Sequence, residues 1–157
     1  KNHKKMKNTN FDLLHTFSLK TVISNIKTVK KGESIGYGRT FTAKKTMKVA
    51  TLPIGYADGF SRSNGKKGFK IYIHGVPCDI VGRVCMDQTM IDVSKVNDIS
   101  IGEEITVFGK DSPTSVYDYS ELHDTIPHEV MCDIARRVPI IYFRHGKFES
   151  AADYVIS

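Results

Sequence analysis

The sequence predicts a mainly β domain, a Greek-key-like barrel or sandwich of about eight short strands with one short helix. Three observations carry this. From Leu13 onward, stretches rich in Val, Ile, Thr, Phe and Tyr recur roughly every eight to twelve residues, parted by glycine-bearing turns. Hydrophobic residues make up 40% and charged residues 25%, which is globular and excludes a wholly disordered, collagen-like or coiled-coil chain. The 157 residues suffice for one sizeable core but not for two full domains.

Residues 1–13 are polar and lack apolar periodicity, so they read as a basic tail or the remnant of a linker, with the β domain over 14–157. Strands are predicted near 19–29, 35–43, 46–54, 69–74, 76–84, 86–93, 104–108 and 139–143. His74-Gly75, between Ile71-Tyr72-Ile73 and Val76, reads as a tight hairpin turn, because glycine takes the positive φ such turns need. Gly32-Glu33-Ser34-Ile35 and Gly102-Glu103-Glu104-Ile105 look alike, and shared turn chemistry explains them without a duplication. Pro127 stands where a first helical residue is expected. Val130, Ile134 and Val138 follow at spacings of four, and Arg136 and Arg137 sit where cations suit a helix C-terminus, predicting a helix near 127–136. A shorter helical turn is expected around Ser120–Asp124.

The net charge of +6 invites a nucleic-acid reading until it is located. Lys1, Lys4, Lys5 and Lys7 supply four of those charges, leaving +2 on the rest of the chain, an ordinary value. Cys78, Cys85 and Cys132 are an odd number without a secretion signal, which suits a reducing cytoplasm better than a disulfide framework. No CxxC or HxxxH pair accompanies them, so no metal site is expected and the cysteines read as small buried hydrophobes. No apolar run is long enough to cross a bilayer, and no membrane contact by this chain is expected. There is neither a phosphate-binding Gly-x-x-x-x-Gly-Lys-Ser/Thr loop nor a Gly-x-Ser-x-Gly elbow; Gly36 and Gly38 read as strand glycines allowing close backbone approach.

Three segments are odd as plain core. Gly36-Tyr37-Gly38-Arg39-Thr40 sets an aromatic between glycines, and Ile54-Gly55-Tyr56-Ala57-Asp58-Gly59 repeats the device at a strand end. Gly82-Arg83-Val84-Cys85-Met86-Asp87-Gln88 runs charged and apolar groups together. Each alone reads as a turn. In this order, with TIPHEVMCDIARRVPIIYFRH at 125–145, they change the reading. SIGYGRTFTA (34–43), LPIGYADGFSR (52–62), IVGRVCMDQTMIDVS (80–94) and that fourth stretch resemble the C-terminal β domain of the pyridoxal-phosphate-dependent alanine racemase family, over about Leu19 to Arg144.

The resemblance implies an isomerase that supplies D-alanine for peptidoglycan. Its pyridoxal 5'-phosphate is held mainly by a lysine-bearing N-terminal (β/α)₈ barrel, too large to be contained in this chain. The α-proton leaves one face of the amino acid and returns on the other, with the barrel lysine serving one face and a tyrosine the second. Tyr37 holds that tyrosine's place. A phenol with a pKa of about 10 needs cationic neighbours to act as a base near neutral pH. Arg39, two residues along and on the same face of a regular strand, is a candidate, beside its plainer reading as a solvated or salt-bridged arginine. Met86 and Cys85 match the loop whose backbone meets the substrate carboxylate, and Tyr56 matches an active-site tyrosine near the entrance. Arg62, Arg83 and Ile126 match the access corridor. Asp87 orients the carboxylate loop or merely caps its turn. The implied partners are the chain's own barrel, a second subunit of a homodimer and a small amino acid, with no nucleic acid.

One position departs from the pattern. Where TINYEV-type members carry a tyrosine that reaches the cofactor phosphate, this sequence has His128, which is shorter and still able to donate a hydrogen bond. That opens a serine racemase of the glycopeptide-resistance type as an alternative. A non-catalytic β-barrel binding module, or a regulatory domain descended from racemases, is the further alternative. The first of these predicts salt-dependent oligonucleotide binding through the basic tail.

Overall fold

The computed structural model describes residues 16–154, and the predicted tail over 1–13 lies outside them. The described residues are mainly β, with eleven short strands and three short helices, arranged as small antiparallel sheets and not as a closed barrel. β5 (Met47–Leu52) is central, pairing with β2 (Asn25–Val29) on one side and β8 (Thr89–Asp92) on the other. Met47, Val49, Ala50 and Leu52 are buried while Lys48 and Thr51 are half-buried, so adjacent Val49 and Ala50 bury both faces of this central strand and break strict alternation. β1 (Leu19–Val22) pairs with β9 (Glu104–Phe108), and β6 (Lys70–Ile73) with β7 (Val76–Asp79). β10 (Ile140–Arg144) pairs with β11 (Lys147–Ala152).

The main core gathers Leu52, Ile71, Ile91 and Val107 around a cluster of aromatic rings. Phe60, Phe69 and Phe108 surround Tyr119, with ring centroids 6.3, 5.2 and 4.9 Å from it. Phe60 is fully buried, and removing such a ring from water is worth about 1.5–3 kcal/mol. A second cluster, with Val29, Ile35, Met47, Val49, Val81 and Met90, lies at the strands that lead into the Gly36–Thr40 loop. The described residues include no helix long and apolar enough to cross a membrane.

The His74-Gly75 hairpin forms as predicted: both residues take positive φ, 50° and 76°, and Ile73 pairs with Val76. Other expectations need correction. The stretch 19–29 is two strands: Ile23 still donates its amide to Glu103 O beside β9, whereas the Ser24 amide turns to Thr51 O of β5. The stretch 35–43 is not a strand. β3 (Ser34–Ile35) and β4 (Phe41–Thr42) form a two-rung ladder, and a 3-10 turn over Tyr37–Arg39 stands between them. Gly36 and Gly38 both have φ 77° and Arg39 has φ 49°, so these glycines reverse the chain and Arg39 shares no strand face with Tyr37.

The helix predicted over 127–136 stops early. α3 (Pro127–Cys132) ends because the Ala135 amide donates to Asp58 O at 3.3 Å, a tertiary partner in place of the helical one. The turn expected around Ser120–Asp124 starts sooner, as α2 (Val116–Leu122), capped by Ser115 Oγ accepting from the Asp118 amide. α1 (Asn64–Lys67) has no counterpart among the predicted elements. Of the cysteines only Cys78 is buried, and desolvation pushes its thiol up to about 11; Cys85 is half-buried and Cys132 exposed.

Candidate functional site

Three loops converge on one cleft of about 470 Å³. The 36–39 turn brings Tyr37, whose side chain is 86% exposed. A second 3-10 turn, Tyr56–Asp58, brings Tyr56, and the 82–88 loop brings Arg83, Cys85 and Met86. Arg62 completes the wall. Six of the eight site residues singled out in the sequence therefore meet in one place. Ile126 and His128 do not line it. Ile126 is the N-cap of α3 and His128 its second residue, and both are exposed or half-exposed on the surface.

Two of these loops are locked backbone to backbone. The Tyr56 amide donates to Cys85 O and the Ala57 amide to Met86 O, each at 3.0 Å. Gly55 makes this possible, because a Cβ there would lie 2.2 Å from Met86 O and 2.4 Å from Cys85 O. The Cys85 amide donates to Gln88 O at 2.8 Å, closing the turn that presents Met86. Among the described residues none accepts a hydrogen bond from the Met86 amide, so that donor is available to an anion.

Asp58 and Arg137 tie the loops together through side chains. Asp58, only 13% exposed, accepts from the Gly55 amide through Oδ2 at 2.8 Å and from Arg137 Nε through Oδ1 at 2.7 Å. Arg137 Nη2 reaches Asp87 Oδ1 at 2.6 Å. Arg137 is thus not a helix-terminal cation: it bridges the turn carrying Tyr56 to the turn carrying Met86. Asp87, expected to orient its loop or merely to cap its turn, pairs with Arg137.

Behind Arg62 lies a polar chain, buried at Asn64 and Tyr119 and half-buried at Ser61, Ser63 and His123. Tyr119 Oη accepts from the Ser61 amide at 3.0 Å and from Asn64 Nδ2 at 3.1 Å. Because the Asn64 amide group donates there, its Oδ1 faces His123 Nε2, 2.6 Å away, and the imidazole carries its proton on Nε2. Nδ1 then accepts from Ser63 Oγ at 3.3 Å, and Ser63 Oγ lies 2.9 Å from Ser61 Oγ. This tautomer is neutral. Burial, with the nearby Lys67 charge second, lowers the His123 pKa below its usual 6.5.

A base with a depressed pKa in the fold binds fewer protons than in the unfolded chain, so its contribution is fully present above about pH 6.5. It is lost as pH falls through the lowered folded value. Thermal unfolding of the wild type is therefore expected to lose more stability between pH 7 and 5 than that of His123→Gln. Parallel curves would contradict the neutral assignment.

Asp58, Asn64, Tyr119, His123 and Arg137 escaped the sequence reading. The one local signal was Asp58 three residues after Gly55, the spacing of a side chain that caps its own turn.

The site thus defines a class: a β domain presenting an exposed tyrosine, two arginines and a free backbone amide donor, with no lysine among the described residues that line the cleft. The family model described as "Alanine racemase, C-terminal domain" matches residues 16–142, and the chain belongs to that family. An alanine racemase of Clostridium tetani is 44% identical over 146 residues, which is 92% of this chain and 38% of that relative. Alanine racemase 2 of Caldanaerobacter subterraneus is 45% identical over 148 residues, 92% of this chain and 37% of the relative. Two solved structures share the fold. Alanine racemase of Clostridium difficile 630 superposes with a TM-score of 0.81 at 38% identity. That of Bacillus anthracis, with bound L-Ala-P, gives 0.80 at 37% identity. Each covers 88% of this chain and 36% of the solved one. The chain spans less than two fifths of the length of these relatives.

Proposed function

We propose that this chain is the C-terminal domain of a cytoplasmic, pyridoxal-phosphate-dependent racemase that interconverts L- and D-alanine. It works with a lysine-bearing barrel preceding the β domain and with a second subunit whose site it completes. The 1–13 segment is then the join to the barrel. The observation that carries the reading is Tyr37, almost fully exposed at the tip of its turn and sharing a cleft with Arg62, Arg83 and Met86. An aromatic so exposed beside further exposed apolar groups, Tyr56 and Met86, marks a surface that another body covers.

The donor set fits the substrate and not the cofactor's covalent anchor, since none of the described residues lining the cleft is a lysine. Pyridoxal phosphate, when bound, draws electron density from the α-carbon and acidifies its proton. Tyr37 Oη takes or returns that proton on one face. The Met86 amide, fixed by its turn, holds the substrate carboxylate without adding charge, and Arg62 and Arg83 draw carboxylates inward. His128, outside this cleft, would hold a phosphate oxygen by a hydrogen bond where the barrel brings the cofactor to α3. On this reading the isolated chain is inactive, and turnover by the purified 157 residues with added pyridoxal phosphate would overturn that.

His128 lies outside the cleft that this chain's own residues line, at the start of α3; where the assembled site sets α3 against the pocket, an imidazole fills less of the wall than a phenol and favours serine as a second substrate. The test measures racemisation of alanine and of serine by the polypeptide joining this chain to its barrel, as wild type and as His128→Tyr. The expected result is alanine turnover by both, with the serine-to-alanine ratio falling about tenfold in the variant, the scale of one small group in a pocket. An unchanged ratio removes His128 from specificity. No turnover of either amino acid by the wild type sinks the racemase reading.

A further inference from the structure

We infer that Tyr119, Asn64 and His123 form a brace that positions Arg62, so that α2, which contributes no residue to the cleft wall, sets how the site admits a carboxylate. The substrate named here rests on the racemase reading, whereas the brace itself rests on separate geometry.

Arg62 is an exposed side chain on a short loop between Phe60 and α1. An unanchored backbone there would spread the guanidinium over more positions than its rotamers alone allow. The Arg62 backbone is held from both sides. The preceding residue, Ser61, donates its amide to Tyr119 Oη, and the following residue, Ser63, offers its hydroxyl to His123 Nδ1. The two anchors are joined through Asn64, whose amide group spans Tyr119 and His123. Lys67 Nζ adds a third link between the elements, donating to Leu122 O at 2.8 Å.

The burial of this chain of polar groups is hard to explain as packing alone. Asn64 is 0% exposed and Tyr119 3%, and polar side chains at such depth cost free energy unless every group is satisfied. Phenylalanine at 119 would keep the ring contacts with Phe60, Phe69 and Phe108 while leaving the Ser61 amide without its acceptor. The hydroxyl's one structural output is the placement of the 61–64 segment. Arg62 and Arg83 line not only the main cleft but also an adjoining one of about 300 Å³, which carries Lys66 and is walled by Gly65 and Gly82. Arg62 therefore borders both clefts, and its position shapes each. Tyr119, Asn64 and His123 touch no substrate; they are positioning residues.

The test is a double-mutant cycle in the full polypeptide with its barrel and cofactor. Tyr119→Phe is expected to raise KM for alanine about three- to tenfold, the equivalent of one hydrogen bond, with kcat little changed. Arg62→Ala raises KM further, and adding Tyr119→Phe to it changes nothing more. His123→Gln keeps the donor to Asn64 and loses the acceptor for Ser63. It gives a smaller rise and serves as the second variant if Tyr119→Phe folds poorly. An unchanged KM in both variants overturns the brace. So does an equal fold-rise in the Arg62→Ala background, since the effect would then bypass Arg62. A wild type that racemises neither alanine nor serine overturns the racemase reading itself, and that outcome is told apart by the first measurement of the series.

Discussion

Replacing Tyr37 by phenylalanine is expected to lower racemisation by about 10²- to 10⁴-fold, the usual contribution of one positioned acid–base group. Thermal unfolding should stay within about 0.5 kcal/mol of wild type, as for surface changes that touch no packing. The two halves have separate grounds. Stability is spared because the ring is 86% exposed and belongs to neither core cluster. Activity is not spared because the substitution removes the one oxygen that the turn holds out. The turn is built for this: Gly36 and Gly38 both take φ 77°, and the Arg39 amide closes it on Gly36 O at 3.3 Å. A Cβ on Gly36 would also press on Met90 Cε at 3.1 Å. The readout that separates a base from a general structural defect is solvent-deuterium exchange at the α-carbon, followed from each enantiomer. In Tyr37→Phe, exchange should persist for the enantiomer served by the barrel lysine and fail for the other. Equal losses from both would remove Tyr37 from proton transfer.

The same turn shows what the sequence could and could not disclose. β9 appears where alternation and the preceding Gly102 turn put it, and the His74-Gly75 hairpin follows from glycine's access to positive φ. The 35–43 stretch has the composition of a strand, yet two left-handed glycines around one tyrosine outweigh that composition. β11 went unpredicted although its turn, His145-Gly146, repeats the dipeptide and the positive φ values of His74-Gly75. Six residues that the motifs singled out line one cleft, because motif order carries information that single residues do not. The groups supporting them escaped the motifs, because each acts across a long separation. Arg137 meets Asp58 over 79 positions and Asp87 over 50, and Tyr119 meets Asn64 over 55. No local pattern encodes such pairs; they exist only once α2 and α3 have packed on the loops.

Alanine in place of Gly55 is expected to cost about 3 kcal/mol of stability, the sum of overpacking and two weakened hydrogen bonds, and to raise KM for alanine by at least about tenfold. Backbone strain is not the cause. Gly55 has φ −147° and ψ −167°, extended values that any residue adopts. The obstacle is space: the new methyl would lie 2.2 Å from Met86 O and 2.4 Å from Cys85 O, and these are backbone atoms that cannot rotate aside. To relieve the clash the 85–88 turn must withdraw from the 55–59 turn. That stretches the Tyr56-to-Cys85 and Ala57-to-Met86 hydrogen bonds and pulls the Met86 amide away from its place beside Tyr56. Gly102→Ala is the matched control. Gly102 has φ 87°, and the methyl it would gain meets nothing within 4 Å, so its penalty is conformational alone, about 1–2 kcal/mol, and lies far from the cleft. Denaturant unfolding and alanine kinetics on the two variants separate crowding from strain. Both should be destabilised, while only Gly55→Ala should lose substrate binding. A Gly55→Ala protein with wild-type stability and KM would mean that the two turns are not locked together, and the carboxylate site would need another source of rigidity.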